Sequence, residues 1–272
     1  MLDPGAVLAW GVPRLRDLPW RATRDPWHIL VAEVMLQQTQ AERVAPKWEA
    51  FRADFPTPSV TAAAALGDVL RLWQGLGYPR RARNLRDAAV AMVDRHRGEV
   101  PDRLDDLLAL PGIGPYTARA VLVFAYERDE AVVDTNIARV LARVAGERLT
   151  AKRAQALADS LVPRGDGWAW NQVLMDLGAQ LCRPDPKCER CPATSRCAWY
   201  RSGRLAPDPA VGSAGVSTRQ GRFEGSARQA RGKVLHALAG GAAPAAAFPA
   251  DIVATLLADR LVVADGPLLR LP

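Results

Sequence analysis

Two glycines between predicted helices are placed where they could hold a phosphate, and an aspartate follows them at a fixed distance. Gly112 and Gly114 lie within residues 110–117, between a segment of helically spaced leucines and a second helix-compatible segment. Glycine permits positive φ and has no Cβ, so successive N–H groups at the start of the second helix can point at one phosphate oxygen. Asp134 follows 18 residues after Tyr116. An ordinary turn is the alternative interpretation, and the carboxylate at that distance favours the phosphate-binding hairpin.

All four cysteines of the chain fall within sixteen residues, with the spacing C-x5-C-x2-C-x5-C. They are Cys182, Cys188, Cys191 and Cys197. Such clustering predicts a metal site rather than disulfides, and three prolines in the segment would hold the loop open around it. Four thiolates suit structural zinc as well as iron and sulfur, so the spacing alone leaves the metal open.

Several sequence blocks resemble the helix-hairpin-helix DNA glycosylase superfamily, and its adenine DNA glycosylase (MutY-type) branch in particular. Beside the hairpin and Asp134, these are residues 18–21 (LPWR), 33–40 (EVMLQQTQ), 73–78 (WQGLGY) and 82–85 (ARNL). These blocks follow one another in the same order as in the family, and the resemblance extends from about residue 18 to residue 197. It implies a two-lobed, all-α glycosylase with a catalytic groove between the lobes. Residues 205–272 match the family less well.

The resemblance implies a reaction at an N-glycosidic bond, which needs two carboxyl groups in unlike states. Glu33 is the candidate acid, because it lies mid-helix among apolar residues where desolvation would raise its pKa and keep it protonated. Asp134 is the candidate ionised partner, which would stabilise the cationic sugar. The alternatives are a buried structural carboxylate for Glu33 and a helix N-cap for Asp134, and Asp134 could serve as both. By family analogy a water completes the hydrolysis, with Glu33 assisting.

Tyr116 indicates which type of glycosylase the chain resembles. Endonuclease III-type relatives, which also cleave the strand as lyases, have a lysine at this position that attacks the sugar as a Schiff-base nucleophile. Tyrosine cannot form that imine, so we expect a monofunctional enzyme without strong lyase activity. The thymine-mismatch branch can also carry tyrosine here, but the adenine branch pairs it with a helical glutamate, as Glu33 does.

The resemblance also assigns residues that contact DNA and the extruded base. Gln37, Gln38 and Tyr78 resemble the residues that fill the hole left by base extrusion. The expected lining of the adenine pocket is Trp20 and Arg21, with Gln172 and Asp176 as further neighbours. For the cysteines the resemblance implies a [4Fe-4S] cluster, although the segment of five residues between Cys182 and Cys188 is one shorter than the family usually has.

Residues 1–204 predict a helical glycosylase domain, with the cysteine loop at residues 182–197. The segment 205–215 is rich in Pro, Gly, Ser and Ala and predicts a linker. Residues 216–272 predict a small winged-helix-like α+β module of two helices and a hairpin with an Asp-Gly turn. In its first helix Arg228, Arg231 and Lys233 could form a basic face toward phosphate, and a solvated helix that covers its own small core is the alternative.

Composition agrees with a DNA-binding protein. The 272 residues have a net charge of +7 and are 49% hydrophobic, enough for a large core, and the charge is not confined to one tail. No apolar run approaches the ~20 residues of a membrane span, and no signal-peptide pattern is present. We expect a cytoplasmic bacterial monomer that associates with nucleoid DNA.

The predicted function is therefore hydrolysis of adenine mispaired with 8-oxoguanine or guanine in double-stranded DNA, a step of base excision repair. A glycosylase for another mispaired base, thymine or uracil opposite guanine, is the first alternative. The second is a non-catalytic DNA-binding protein with a zinc site, which would have no need for Glu33 and Asp134.

Overall fold

The computed structural model describes residues 2–216 and 221–272, and helices dominate it. The described residues form two compact units, each assembled from two stretches of the chain. Unit 1 comprises the described residues within Met1–Asp17 and Ala118–Arg219, and unit 2 those within Leu18–Thr117 and Gln220–Pro272. This grouping differs from the expected division into residues 1–204 and 216–272, because the last 52 residues pack with Leu18–Thr117.

Unit 2 contains most of the helices. They are α2 (Pro26–Leu36), α3 (Ala41–Asp54), α4 (Pro58–Ala63), α5 (Leu66–Trp73), α6 (Arg80–His96), α7 (Leu104–Leu108), the start of α8 (Pro115–Phe124), α13 (Ala227–Ala239) and α14 (Ala250–Ala258). Helix α2 begins at Pro26, after an Asp25 side chain that accepts a hydrogen bond from the His28 N–H. Its apolar residues are buried on nearly every side, which makes α2 the central helix of this unit.

The end of the chain adds two helices and a small sheet to unit 2. Strands β1 (Ala243–Pro244), β2 (Val263–Asp265) and β3 (Leu268–Arg270) pair antiparallel in the order β1-β3-β2. The predicted helix pair and hairpin are therefore present. Strand β1 lies in the alanine-rich segment 242–247, where the sequence predicted no strand. Its proline is tolerated there because β1 is an edge strand.

Unit 1 surrounds a buried helix and carries the cysteines. Its helices are α1 (Pro4–Gly11), the rest of α8, α9 (Thr135–Ala145), α10 (Ala151–Asp159), α11 (Gly167–Gln180) and α12 (Ala198–Arg201). Helix α9 begins at the Asp134 cap and ends at Gly146, which adopts a left-handed φ of 75°. Its apolar face is buried against α11. A close approach occurs at Gly178, where a Cβ would lie 2.6 Å from the Asn136 Cβ of α9.

The segment 205–215 is packed against unit 1 rather than free as a linker. Asp208 forms an ion pair with Arg143 at 2.6 Å, and Ala210 is buried. The Ser213 hydroxyl accepts a hydrogen bond from the Leu149 N–H and donates one to the Pro209 carbonyl. A Pro- and Gly-rich composition predicted flexibility, but one charged and one hydroxyl side chain fix this segment.

Candidate active site and metal centre

The predicted glycine hairpin joins α7 to α8. Gly112 has a φ of 74°, and a Cβ there would lie 2.6 Å from the Asn84 Cβ and 2.7 Å from its amide nitrogen. Both the positive φ and the closeness of Asn84 therefore require glycine at position 112. The Ile113 N–H donates to the Leu110 carbonyl and closes the turn at 3.2 Å. A Cβ at Gly114 would meet nothing within 4 Å, so the start of α8 is open for an anion to approach its N–H groups.

Glu33 lies in the middle of α2 and is 5% exposed, as its apolar neighbours predicted. The flanking residues Ala32 and Val34 are also buried. Burial of a carboxyl group penalises its charged form. Its catalytic role stays a prediction.

Asp134 caps helix α9. One carboxylate oxygen accepts from the Ile137 N–H at 2.7 Å, and the other accepts from the Asn136 amide at 2.8 Å. Burial raises the pKa of Asp134 above its ordinary value, while the hydrogen bonds from Ile137 and Asn136 lower it. Burial therefore disfavours the ionised Asp134 carboxylate that the sequence predicted, whereas these hydrogen bonds favour it. The N-cap interpretation is confirmed, and a role in catalysis is compatible with it.

The predicted DNA-intercalating residues lie on two short loops of unit 2. Gln37 follows α2, and its amide donates to the Thr117 hydroxyl in the first turn of α8 at 3.2 Å. Gln38 is exposed and has a φ of 57°. Tyr78 lies between α5 and α6 with a φ of 48°. Left-handed backbone at a non-glycine residue is uncommon, so both loops must be held by other parts of the fold.

Arg81 holds both loops, and the sequence analysis missed it. Its Nη1 donates to the carbonyl oxygens of Val34, Met35 and Gln37 at 2.7–2.9 Å. Its Nη2 donates to the carbonyls of Leu76 and Gly77 and to the Thr39 hydroxyl, at 3.0–3.1 Å. The residue is 8% exposed, and burial lowers its pKa to about 10, so it remains charged at neutral pH.

A signal for Arg81 exists in the sequence. Arg81 shares one helical face with Ala82, Leu85, Ala88 and Met92, all of which are buried. An arginine on an apolar helix face is rarely buried without several hydrogen-bond acceptors. The three arginines within residues 80–83 concealed this pattern, because clustered charges usually indicate a solvated surface.

The expected base-pocket residues divide between the units. Trp20 is buried in unit 2, with its ring 6.2 Å from that of Trp48 in an edge-to-face arrangement. Arg21 follows it in the same 3-10 turn. Asp176 and Gln172 are buried on α11 in unit 1. Asp176 accepts from the backbone N–H and Nε of Arg16 at 2.8 and 2.7 Å, which gives it a structural role in unit 1.

The four cysteines line one apolar cavity of about 30 Å³ in unit 1. Val140, Val144, Leu177 and Leu181 supply much of its wall. The fold therefore brings together all four thiols that the sequence singled out. Within residues 2–216 and 221–272, no set of three or more His, Cys, Asp or Glu side chains is arranged to hold a metal ion.

Arg143 organises the cysteine loop from α9. Its guanidinium donates to the carbonyls of Arg183 and Pro184, to the Cys182 sulfur at 3.4 Å and to the Asp208 carboxylate. It also stacks on the Trp199 ring at 4.7 Å. The residue is 2% exposed. The sequence analysis missed this second buried arginine because its partners lie about 40 and 65 residues further along the chain.

Burial raises the pKa of three of the cysteine thiols, to about 11 for Cys191 and in the same direction for Cys182 and Cys197. Thiolates are the ligands of both zinc and iron-sulfur clusters. A positively charged metal centre would reverse this shift, and the Arg143 guanidinium at Cys182 would also favour the thiolate. An apolar cavity with four thiols and one cation at its wall fits a cysteine-bound metal group.

The site residues that the sequence named therefore fall into two sets. Unit 2 holds Trp20, Arg21, Glu33, Gln37, Gln38, Tyr78, Gly112, Gly114 and Tyr116. Unit 1 holds Asp134, Gln172, Asp176 and the four cysteines. None of the helices in the described part of the chain has the length and hydrophobicity needed to span a bilayer.

Comparison with known proteins agrees on one family. Residues 31–164 match the HhH-GPD superfamily of base excision DNA repair proteins. The adenine DNA glycosylase of Mycolicibacterium smegmatis is 42% identical over 258 residues, which cover 93% of this chain and 85% of the relative. The adenine DNA glycosylase of Mycobacterium tuberculosis is 40% identical over 276 residues, which cover 94% of this chain and 88% of the relative. A solved thermostable thymine-DNA glycosylase superposes with a TM-score of 0.70 at 32% identity, over 73% of this chain and 95% of that one.

Proposed function

This chain belongs to the adenine DNA glycosylases of the helix-hairpin-helix superfamily, and on that premise we propose that it removes adenine from DNA by hydrolysis of the N-glycosidic bond. The observation that carries the proposal is the nearly complete burial of the Glu33 carboxyl group in the helix that leads to the Gln37 and Gln38 loop. A buried carboxylic acid can deliver a proton to the leaving base.

The two carboxyl groups then have different tasks. Glu33 protonates a ring nitrogen of adenine and makes the base a better leaving group. Asp134, held by Ile137 and Asn136, stabilises the positive charge that develops on the sugar. The bond to adenine breaks and the base leaves with the proton from Glu33. A water molecule then adds to the sugar carbon, and its proton passes to the Glu33 carboxylate.

The proposed substrate is adenine opposite 8-oxoguanine or guanine in duplex DNA, bound by a monomer. The hairpin at Gly112 and Gly114 would hold a phosphate, while Gln37, Gln38 and Tyr78 would fill the space left by the extruded base. In unit 2, Trp20 and Arg21 remain candidates for the adenine pocket.

The test is a panel of labelled duplexes that carry A:8-oxoguanine, A:G, T:G and U:G mispairs, each treated with alkali after incubation. Cleavage at the adenine of the first two duplexes supports the proposal. The second candidate function is removal of thymine, which the likeness to the solved thymine-DNA glycosylase favours. Cleavage only at T:G or U:G would establish that function instead.

Tyr116 predicts the absence of lyase chemistry. The first turn of α8 presents a phenol where a lyase needs an amine, and a phenol forms no imine with an opened sugar. With an A:8-oxoguanine duplex, strand breaks should appear only after alkali, and borohydride should trap no substantial covalent complex. Efficient trapping would show that another amine acts as a nucleophile.

The cysteine cavity is proposed to hold a [4Fe-4S] cluster, bound by Cys182, Cys188, Cys191 and Cys197. Four thiols at the wall of one cavity are the type of donor that such a cluster would take. When bound, the group would cross-link the loop, and Arg143 would offset part of the negative charge of the thiolates.

Metal analysis of the purified protein tests this proposal. We expect about four iron atoms and four sulfide ions per chain, with visible absorption from sulfur-to-iron charge transfer. Cys191→Ser should lower the iron content and impair folding or DNA binding, whereas Ser202→Ala, a change outside the cavity, should leave both unchanged. Stoichiometric zinc without iron would support the alternative of a zinc site.

A further inference from the structure

Residues 74–79, between α5 and α6, form the loop that carries Tyr78 (the Tyr78 loop). The C-terminal segment 221–272 is anchored on both sides of this loop. On the α5 side, the Arg71 Nε donates to the Ala239 carbonyl at 3.2 Å. The His236 ring and the Gln74 amide oxygen are 2.8 Å apart, and the Gly67 N–H donates to the Pro272 carbonyl at 2.8 Å. These contacts fix α13 and residue 272 to α5.

On the α6 side the anchor is Asp259, at the end of α14. Its carboxylate accepts from Arg80 and Arg231 at 2.5 Å each, and its carbonyl accepts from Arg83. The carboxylate is largely buried, and hydrogen bonding to Arg80 lowers its pKa, so it stays ionised. The loop that carries Tyr78 is therefore held between two attachment points of the C-terminal segment.

Arg228, in the first turn of α13, reaches Tyr78 itself. Its Nη1 donates to the Tyr78 hydroxyl oxygen at 2.9 Å, and its guanidinium carbon lies 6.0 Å from the ring centre. Its Nη2 donates to the Gly221 carbonyl at 2.8 Å. The guanidinium is thus fixed at two ends, and it fixes the phenol in turn.

Two arginines share the positioning of this tyrosine. Arg81 holds the backbone just before it through the Gly77 carbonyl, and its guanidinium carbon lies 5.5 Å from the Tyr78 ring. Arg228 holds the opposite end, the hydroxyl group. A side chain whose backbone is left-handed and whose tip is hydrogen-bonded has few alternative positions.

We propose that Arg228 is a positioning residue for mispair recognition, which acts by holding the Tyr78 phenol toward the base opposite adenine. This inference rests on the proposed function. It gives residues 221–272 a part in recognition of the mispair, because the contact that orients the intercalating tyrosine comes from that segment.

The expected basic face of α13 is corrected by these contacts. Arg231 is engaged by Asp259 and by the Thr255 hydroxyl, and Arg228 by Tyr78. Lys233 is exposed on the same helix and lines a separate cavity with Phe248. The three cations therefore do not act as one phosphate-binding surface, and Lys233 provides a matched control for Arg228.

The test is a double-mutant cycle with Arg228→Ala and Tyr78→Phe, which removes the hydroxyl and keeps the ring. Single-turnover base release is measured on A:8-oxoguanine and A:G duplexes. Each single variant should release adenine about tenfold more slowly, and the double variant no more slowly than either one. Binding to a fully paired duplex should be unchanged, and Lys233→Ala should release adenine at the wild-type rate.

Three outcomes would overturn the inference. These are a wild-type rate for Arg228→Ala, additive losses in the double variant, and a weaker salt dependence of binding shared by Arg228→Ala and Lys233→Ala. Failure of the wild-type protein to release adenine would instead contradict the proposed function. The fluorescence of 2-aminopurine at the adenine position reports its extrusion from the duplex. This measurement tests the arginine-tyrosine pair independently of base release.

Discussion

Glu33→Gln is expected to slow adenine release by about 10³-fold, since a general acid contributes roughly 10²- to 10⁴-fold to such a reaction. The amide keeps the shape of the side chain but cannot transfer a proton to the base. Binding to the mispaired duplex should remain within about twofold of wild type, because the lost interaction belongs to the transition state. Single-turnover rates and a duplex titration measure the two effects separately.

The control for this prediction is Glu42→Gln, which removes a charge from an exposed glutamate in the first turn of α3. It should leave base release unchanged. Full activity in Glu33→Gln would remove Glu33 from the mechanism. A loss of duplex binding equal to the loss of rate would make Glu33 a residue for DNA affinity and not for proton transfer.

Arg81→Lys should disorder the two loops that carry Gln37, Gln38 and Tyr78 and destabilise unit 2. An ammonium group cannot span the six acceptors that the planar guanidinium reaches, so several buried carbonyl oxygens lose their donor. We expect the free energy of unfolding to fall by about 2 to 4 kcal/mol. Base release by the folded variant should slow by more than tenfold. Urea unfolding and single-turnover kinetics measure these two quantities.

Arg86→Lys is a matched control on the same helix. Arg86 donates to the carbonyls of Ala64 and Ala62, at the end of α4 and away from both loops. The control should lose some stability and keep the wild-type rate of base release per folded molecule. Equal rates for Arg81→Lys and Arg86→Lys would mean that the loops need no support from Arg81.

Local rules explain which features the sequence could predict. The N-cap at Asp134, the turn at Gly112, the burial of Glu33 and the Asp-Gly hairpin each depend on residues within one or two turns of each other. The clustering of the cysteines is also local. The predicted roles of Tyr116 and Tyr78 came from the family resemblance, because the hydrophobic periodicity of the sequence does not indicate them.

Long-range partners explain what could not be predicted. Arg143 bonds to the cysteine loop and Asp208, and Arg228 bonds to Tyr78 across 150 residues of sequence. No pattern in a single sequence states which acceptor a particular arginine will meet. The edge strand β1 was missed for a related reason, because an alanine-rich segment becomes a strand only when β3 pairs with it.

The order of the chain has a consequence for biosynthesis. Unit 2 combines Leu18–Thr117 with residues from the end of the chain, and the cysteine loop of unit 1 is translated between them. Asp259 can neutralise Arg80 only after residue 259 has left the ribosome, and Tyr78 gains its Arg228 contact only after residue 228 has done so. Contacts of such long sequence separation form late and slowly. We therefore expect a nascent chain to acquire its organised Tyr78 loop only after residues 228–259 have emerged, well after the loop itself has been synthesised.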